Sequence, residues 1–294
     1  MRSKAIVILA LTVIVLIAGT FLVLNRPQLV TVDADIPAGF PESAFSHETF
    51  EELLRAFVDD KGYIDYQAWH EHGQSRRLLD EYLAAVGRFS PESDPQRFPR
   101  KSDALAYWMY AYNAYVIKSV LDRWPLGSVT DIQAPVEVVK GFGFFFRLRF
   151  PFGGRPYSLY AIENDIIRKG YRDARIHFVL NCGSDSCPPM LPVLPTGDEL
   201  EPFLQQAAEN FVSDSKNVSI NHEKREIVLS EIFKWNEKDF INDLRLRGLP
   251  TSSGLFGYIG SIAPQSMQAE LAQAADYELV FVDYDWSVNQ TRTD

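Results

Sequence analysis

Residues 104–121 read ALAYWMYAYNAYVIKSVL, and this stretch decides the fold. A surface helix keeps its apolar side chains to one stripe, but here apolar and aromatic residues face nearly every direction around the 3.6-residue period. Such a helix belongs in the centre of a fold, with other elements packed on all sides. The pattern predicts a buried helix over Asp103–Arg123, ended by Pro125, whose ring cannot continue an α-helix. Asn113, an amide among aromatics, demands hydrogen-bond partners there.

Upstream of it only helices are expected. The first starts at Ser46, carries Phe50, Leu53, Leu54, Phe57 and Val58 as its inward stripe, and stops at Gly62. YIDY at 63–66 is a short extended piece, and a second helix over Ser75–Val86 turns Leu78, Leu79, Leu83 and Val86 inward. Downstream the periodicity changes. VEVV at 136–139 and the alternating Arg147–Phe150 read as β structure, Gly153-Gly154 as a hairpin turn into RPYSLY, and Ser158 as the cap of a helix through Ile167. RIHFVLN at 175–181 carries apolar residues on both faces and reads as a buried strand.

Thr196 and Glu199 form a capping-box pair for a helix to about Val212. VSI and REIVLS then read as paired strands, Ser230 caps a short helix, Pro264 opens another, and ELVFVDYDW at 278–286 is a final strand. The expected fold class is α+β: a single domain over 45–290 with a helical N-terminal half, a mixed or antiparallel sheet and a buried central helix, followed by a tail at 291–294. No internal repeat, low-complexity tract or glycine-rich phosphate loop interrupts it.

The N-terminus adds a further expectation. Residues 5–24, AIVILALTVIVLIAGTFLVL, hold no charge, and at about 1.5 Å per residue they match a ~30 Å hydrocarbon core. Residues 1–25 therefore read as a cytoplasmic tip and one transmembrane helix, with Arg2 and Lys4 keeping the N-terminus in the cytoplasm, and 26–44 as a tether. The alternative is a cleaved signal peptide, for which Ala18-Gly19-Thr20 offers the only candidate site. Either way the domain is expected outside the cytoplasm as part of the cell envelope, in the periplasm or on the outer face if the cell is bacterial.

The 294 residues, 46% hydrophobic and 23% charged, exclude wholesale disorder, a collagen-like fibre and a continuous coiled coil. With 29 basic against 39 acidic side chains the net charge is -10, which disfavours a polyanion, so nucleic acid is not an expected partner.

Reactive chemistry concentrates in RIHFVLNCGSDSCPP at 175–189, which holds both cysteines of the chain, Cys182 and Cys187, just past His177. A thiol nucleophile needs a base within about 3 Å and a group behind the base to fix its tautomer. His177 is the available base, and Glu163 or Asn113 the orienting group. Cys187 is preferred as nucleophile because Pro188 suits the first position of a helix, whose N-terminus would lower a thiol pKa. Each residue also has a plainer reading. The cysteines, five apart, can bridge as a structural disulfide, form a redox pair, hold a metal or stay inert. His177 can be a satisfied core histidine, Asn113 a structural amide, and Glu163 a partner of Arg168 or Arg175. No cofactor is expected.

The chain resembles the DUF547 family of uncharacterised domains over most of the part following residue 45. The resemblance rests on GYIDY at 62–66, Trp108 with Tyr112-Asn113-Ala114, SLYAIENDIIR at 158–168, RIHFVLNCGSDSCPPM, VLSEIFKWNEKDF and the terminal YDW at 284–286. It carries the family glutamate onto Glu163, the arginine onto Arg168, the histidine onto His177 and the two cysteines onto Cys182 and Cys187. The loop with Pro192 and Pro195 does not follow the pattern. A more distant likeness to papain-like or transglutaminase-like cysteine hydrolases implies a thiol mechanism, although in those enzymes the cysteine precedes the histidine, the reverse of the order here.

Two functions are thus expected in competition. One is a thiol-dependent hydrolase or transferase acting on an amide or ester of a peptide-like or cell-wall substrate, with turn amides near Gly183 as the oxyanion site. The other is a non-enzymatic envelope binding or scaffold domain with a Cys182–Cys187 disulfide.

Overall fold

The computed structural model describes residues 2–193 and 195–292, the side chains of 2–8 and 10 excepted. The chain opens with helix α1 (Arg2–Leu24) and the short strand β1 (Gln28–Leu29). The expected transmembrane helix is corrected here: among the described residues no helix is long and apolar enough to cross a membrane. Residues 5–8 and 10 of that expected span lie outside the described side chains. The expected localisation, a single-pass protein with its N-terminus cytoplasmic and its body periplasmic, rested on that span and loses its support with it. Of the expected tail, residues 293 and 294 lie outside the described residues.

Residues 26–44 lie against the domain. β1 pairs in parallel with β2 (Leu148–Phe152), and the Val30 N–H donates to the Arg149 carbonyl at 2.8 Å. Helices α2 (Glu48–Phe57), α3 (Tyr66–Glu71) and α4 (Gly73–Arg88) follow, with Asp65 capping α3 through the Ala68 N–H at 2.9 Å. All of them pack around α5 (Lys101–Leu121), which is buried from Leu105 to Leu121. An aromatic helix tolerates such burial only if its hydroxyls are satisfied. Tyr107 donates to the Val86 and Phe89 carbonyls at 3.0 and 2.8 Å, Tyr115 to the Pro151 carbonyl at 2.6 Å. Lys118 is neutralised by Asp80 and Asp122 at 2.9 and 3.0 Å.

VEVV at 136–139 is not a strand, and 143–147 form a π-helical turn, so downstream of α5 β structure begins at Leu148. The hairpin is present: β2 pairs antiparallel with β3 (Arg155–Tyr157), Phe152 opposite Arg155. Ser158 caps α6 (Leu159–Ala161), which continues through a π-helical turn over Ile162–Arg168 into α7 (Lys169–Tyr171). The remaining elements are α8 (Leu200–Ser213), β4 (Val218–Asn221), β5 (Glu226–Ser230), α9 (Glu231–Trp235), α10 (Glu237–Leu246), α11 (Gly254–Ile262), α12 (Gln265–Gln273) and β6 (Glu278–Val282). β5 is the centre of a second mixed sheet, antiparallel to β4 and parallel to β6. The architecture is α+β, with two three-stranded sheets among the described residues.

The segment 175–181 is not the expected strand. Ala174–Phe178 form a 3-10 turn and the rest is irregular. Its apolar residues divide between two hydrophobic cores. Ile176, Val179 and Leu180 join the core around α5, whereas Ala174 and Phe178 join the core built by the end of α8, β4, β5 and α9–α12. Apolar side chains on both faces identify a segment enclosed on both sides, and a strand is only one way to meet that condition.

Candidate functional site

The Cys182–Cys187 loop hangs from α5 by one side chain. Asn113 Nδ2 donates to the Val179 carbonyl at 3.1 Å, and its Oδ1 accepts the Asn181 N–H at 3.0 Å. Asn181 then fixes the loop from within: its Oδ1 accepts the Gly183 N–H at 2.7 Å and its Nδ2 donates to the Pro188 carbonyl at 2.7 Å. The Cys187 N–H closes a turn onto the Ser184 carbonyl at 3.0 Å, while Asp185 N–H and Asn289 N–H tie the loop to the C-terminal segment through Ser287 and Gly183 carbonyls at 2.7 and 3.1 Å. Gly183 is required at its position. Its φ is +85°, and a Cβ there would stand 2.9 Å from Val129 Cγ1.

The two sulfurs are bonded to each other as a disulfide across this loop, with Cα atoms 6.3 Å apart, and no cysteine is free among the described residues. Tyr284 Oη lies 3.0 Å from Cys187 Sγ and 3.3 Å from Cys182 Sγ, and the Cys182 N–H points at Cys187 Sγ at 3.0 Å. Bridged sulfurs carry no proton, so the tyrosine hydroxyl is the donor. Burial pushes the Tyr284 phenol well above its ordinary pKa, and the nearby Glu163 carboxylate adds to the shift, so it keeps that proton.

His177 is elsewhere engaged. Its Nε2 meets Asp239 Oδ2 at 2.9 Å, its ring packs edge-on against Phe240 on α10, and its side chain is 3% exposed. Arg168 Nε donates to the same Asp239 oxygen at 2.6 Å. Burial would raise the Asp239 carboxyl, but the bonds from His177 and Arg168 outweigh it and hold the pKa at about 2. His177 is not among the groups bonded to either sulfur, so the expected nucleophile–base pair with Cys187 is not brought together. Glu163 does not orient His177 either; its Oε2 accepts from Tyr112 Oη at 3.4 Å. No helix begins at Pro188 among the described residues, which removes the reason for preferring Cys187 as a nucleophile. Arg168 and Arg175 pair with Asp239 and with Asp173 and Glu201, not with Glu163.

Asp239 and Tyr284 were not singled out from sequence. Both lie in stretches already noted, WNEKDF and YDW, but 62 and 97 residues from the side chains they touch. A carboxylate beside a buried phenylalanine on α10, and a tyrosine at the end of a strand, gave no local sign of those partners.

Beside the disulfide opens a cleft of about 740 Å³. Its walls are the Asp59–Tyr63 turn, the Pro188–Pro192 segment and the residues from the end of α8 to Asn217, and Cys187 lines its floor. Asp185 is held there between Lys216 and Arg292, both at 2.8 Å. Among the described residues no group of three or more His, Cys, Asp or Glu side chains is placed to hold a metal ion.

No curated protein and no solved structure matches the chain. A family model does, over residues 95–212, a span that contains α5, Glu163, Arg168, His177 and both cysteines but stops short of Asp239 and Tyr284. Residues 95–212 thus match the family described as "Protein of unknown function, DUF547".

Proposed function

We propose that the chain is a non-enzymatic binding domain whose cleft, floored by the bridged Cys182–Cys187 loop, takes a short peptide segment. The observation that carries this reading is the disulfide itself: with both sulfurs bonded to each other, neither is a nucleophile. The cleft has the volume of a small-ligand site and mixes apolar walls, Val58, Met190 and Leu191, with charged groups of both signs, Asp59, Lys61 and Lys216. That mixture suits a ligand that carries apolar side chains beside amide donors and acceptors. The competing reading, a thiol-dependent hydrolase or transferase, requires a free Cys187 with His177 as its base. Cys187 is bridged, and no hydrogen bond joins His177 to it.

The test uses the full chain purified without reductant. Thiols are counted by iodoacetamide labelling in denaturant, and binding of a panel of tetrapeptides is followed by ligand-observed NMR. No labelled thiol, and peptide binding that is lost when Asn210→Trp fills the rim of the cleft, is the expected result. A labelled Cys187 together with ester or amide hydrolysis abolished by Cys187→Ser overturns it.

A further inference from the structure

The bridge closes a loop of only five residues' separation, and the loop is held in place without it. Asn113, Asn181, Ser287 and Asn289 fix the segment through the hydrogen bonds given above, and Met190 N–H adds a bond to the Gly62 carbonyl at 3.2 Å. A disulfide across so short a loop removes less unfolded-state entropy than one across a long loop. The sulfurs are instead surrounded by groups that matter once the bond is broken. Two donors converge on Cys187 Sγ, the Cys182 N–H and the Tyr284 hydroxyl, each at 3.0 Å. Among the described residues Cys182 Sγ has only the longer Tyr284 contact at 3.3 Å and Ser184 Oγ at 3.5 Å. Both cysteines are half-buried, so a small dithiol can reach Cys182 Sγ.

We propose that Cys182–Cys187 is a reversible thiol–disulfide couple that exchanges electrons with a dithiol, with Cys187 as the stabilised thiolate of the reduced form. The proposal rests on the bridge that also underlies the binding reading. One thiolate of the dithiol attacks Cys182 Sγ; the Cys182–Cys187 bond breaks, and Cys187 Sγ leaves with the electron pair, its charge met by the Cys182 N–H and the Tyr284 O–H. The second thiol of the donor loses its proton to solvent and attacks the mixed disulfide, expelling Cys182 Sγ, which takes up a proton. The dithiol is oxidised to a disulfide and the cysteine pair is reduced by two electrons. A leaving thiolate with two donors already in place leaves more readily than one without. The Asn113 and Asn181 bonds keep the two sulfurs near each other for the return step.

The full chain is equilibrated in mixtures of reduced and oxidised dithiothreitol, quenched in acid and alkylated, and the two cysteines are read separately by peptide mass. The parent chain should cycle fully in both directions with its circular dichroism unchanged. After reduction Cys187 should alkylate faster than Cys182 at pH 7. Tyr284→Phe should lower the equilibrium constant for reduction about tenfold, which is about 30 mV for a two-electron couple, and shift the Cys187 alkylation profile to higher pH. An unchanged constant in Tyr284→Phe, preferential alkylation of Cys182, or loss of fold on reduction overturns the proposal while leaving the bound-peptide reading intact. A normal couple in a chain that binds no peptide does the reverse. A chain that forms no bridge even in excess oxidant removes both.

Discussion

The Asn113 side chain accepts the Asn181 N–H at 3.0 Å, so a buried amide on the central helix supplies the bond that a neighbouring strand would otherwise give to the start of the cysteine loop. The same amide donates to Val179 at 3.1 Å, which satisfies both of its functional groups inside a helix that is otherwise aromatic and aliphatic. The loop, its disulfide and one wall of the cleft are therefore registered to the best-packed element of the fold. This position is one of support: the hydrogen bonds of the Asn113 side chain go to main chain, and to neither sulfur nor imidazole.

Replacing Asn113 with leucine is expected to cost about 1–3 kcal/mol, because the Val179 carbonyl and Asn181 N–H are left unpaired in the interior. Urea denaturation of the purified chain measures the loss. A variant as stable as the parent would contradict the arrangement.

The helices on the α5 side were legible because each has its own local grammar, an inward stripe on α2 and an all-round apolar α5, although the N-cap of α2 is His47, with no side-chain cap bond, and not the expected Ser46. The hairpin at Gly153-Gly154 was legible for the same reason. The segment carrying His177 was misread because its apolar pattern reports enclosure, and two cores enclose it where one sheet was assumed. The site was legible in part. A sequence places Cys182 beside Cys187, but it does not say that His177 turns to Asp239 or that Tyr284 covers the sulfurs, since those pairings are made by packing between distant elements.

His47 gives the chain a dependence on mild acid. Its ring stacks on Tyr110 at 4.1 Å, its Nδ1 meets Tyr82 Oη at 2.9 Å, and burial lowers its pKa to about 3. The unfolded chain takes up this proton near pH 6.5 and the folded chain does not, so stability is complete above about pH 6.5 and falls as the pH drops toward 3. Between pH 7 and pH 4.5 the parent should lose about 2–3 kcal/mol more than His47→Gln. Urea titrations of both proteins at the two pH values give the difference directly; parallel losses would refute it.

Asp239 acts at lower pH and with the opposite charge. Its carboxylate is worth most when ionised between Arg168 and His177, so its contribution is present above the ordinary carboxylate pKa and fades as the pH falls from 3.8 toward about 2. Asp239→Asn should destabilise the chain by about 1–2 kcal/mol at pH 7, allowing for a side chain that is partly exposed. The gap between variant and parent should shrink by roughly half at pH 3. A gap that stays constant from pH 7 to pH 3 would mean that the ionised form is not what matters.

Gly62 tests whether the cleft wall depends on close approach. Its φ is +81°, and a Cβ at that position would lie 2.8 Å from the backbone nitrogen of Met190, in the segment packed directly against the Asp59–Tyr63 turn where both line the cleft. Gly62→Ala therefore combines two costs, a left-handed backbone carrying a side chain and a collision with main chain that cannot rotate away. Gly154 separates them, because its φ is +82° but a Cβ there meets nothing within 4 Å. Gly154→Ala should cost about 1 kcal/mol from backbone strain alone, and Gly62→Ala about 2–3 kcal/mol. The excess is the energy of forcing the Pro189–Met190 segment outward, so Gly62→Ala should also weaken peptide binding in the cleft while Gly154→Ala leaves it unchanged. Equal destabilisation of the two variants, with binding intact in both, would show that the turn and the proline segment do not depend on each other.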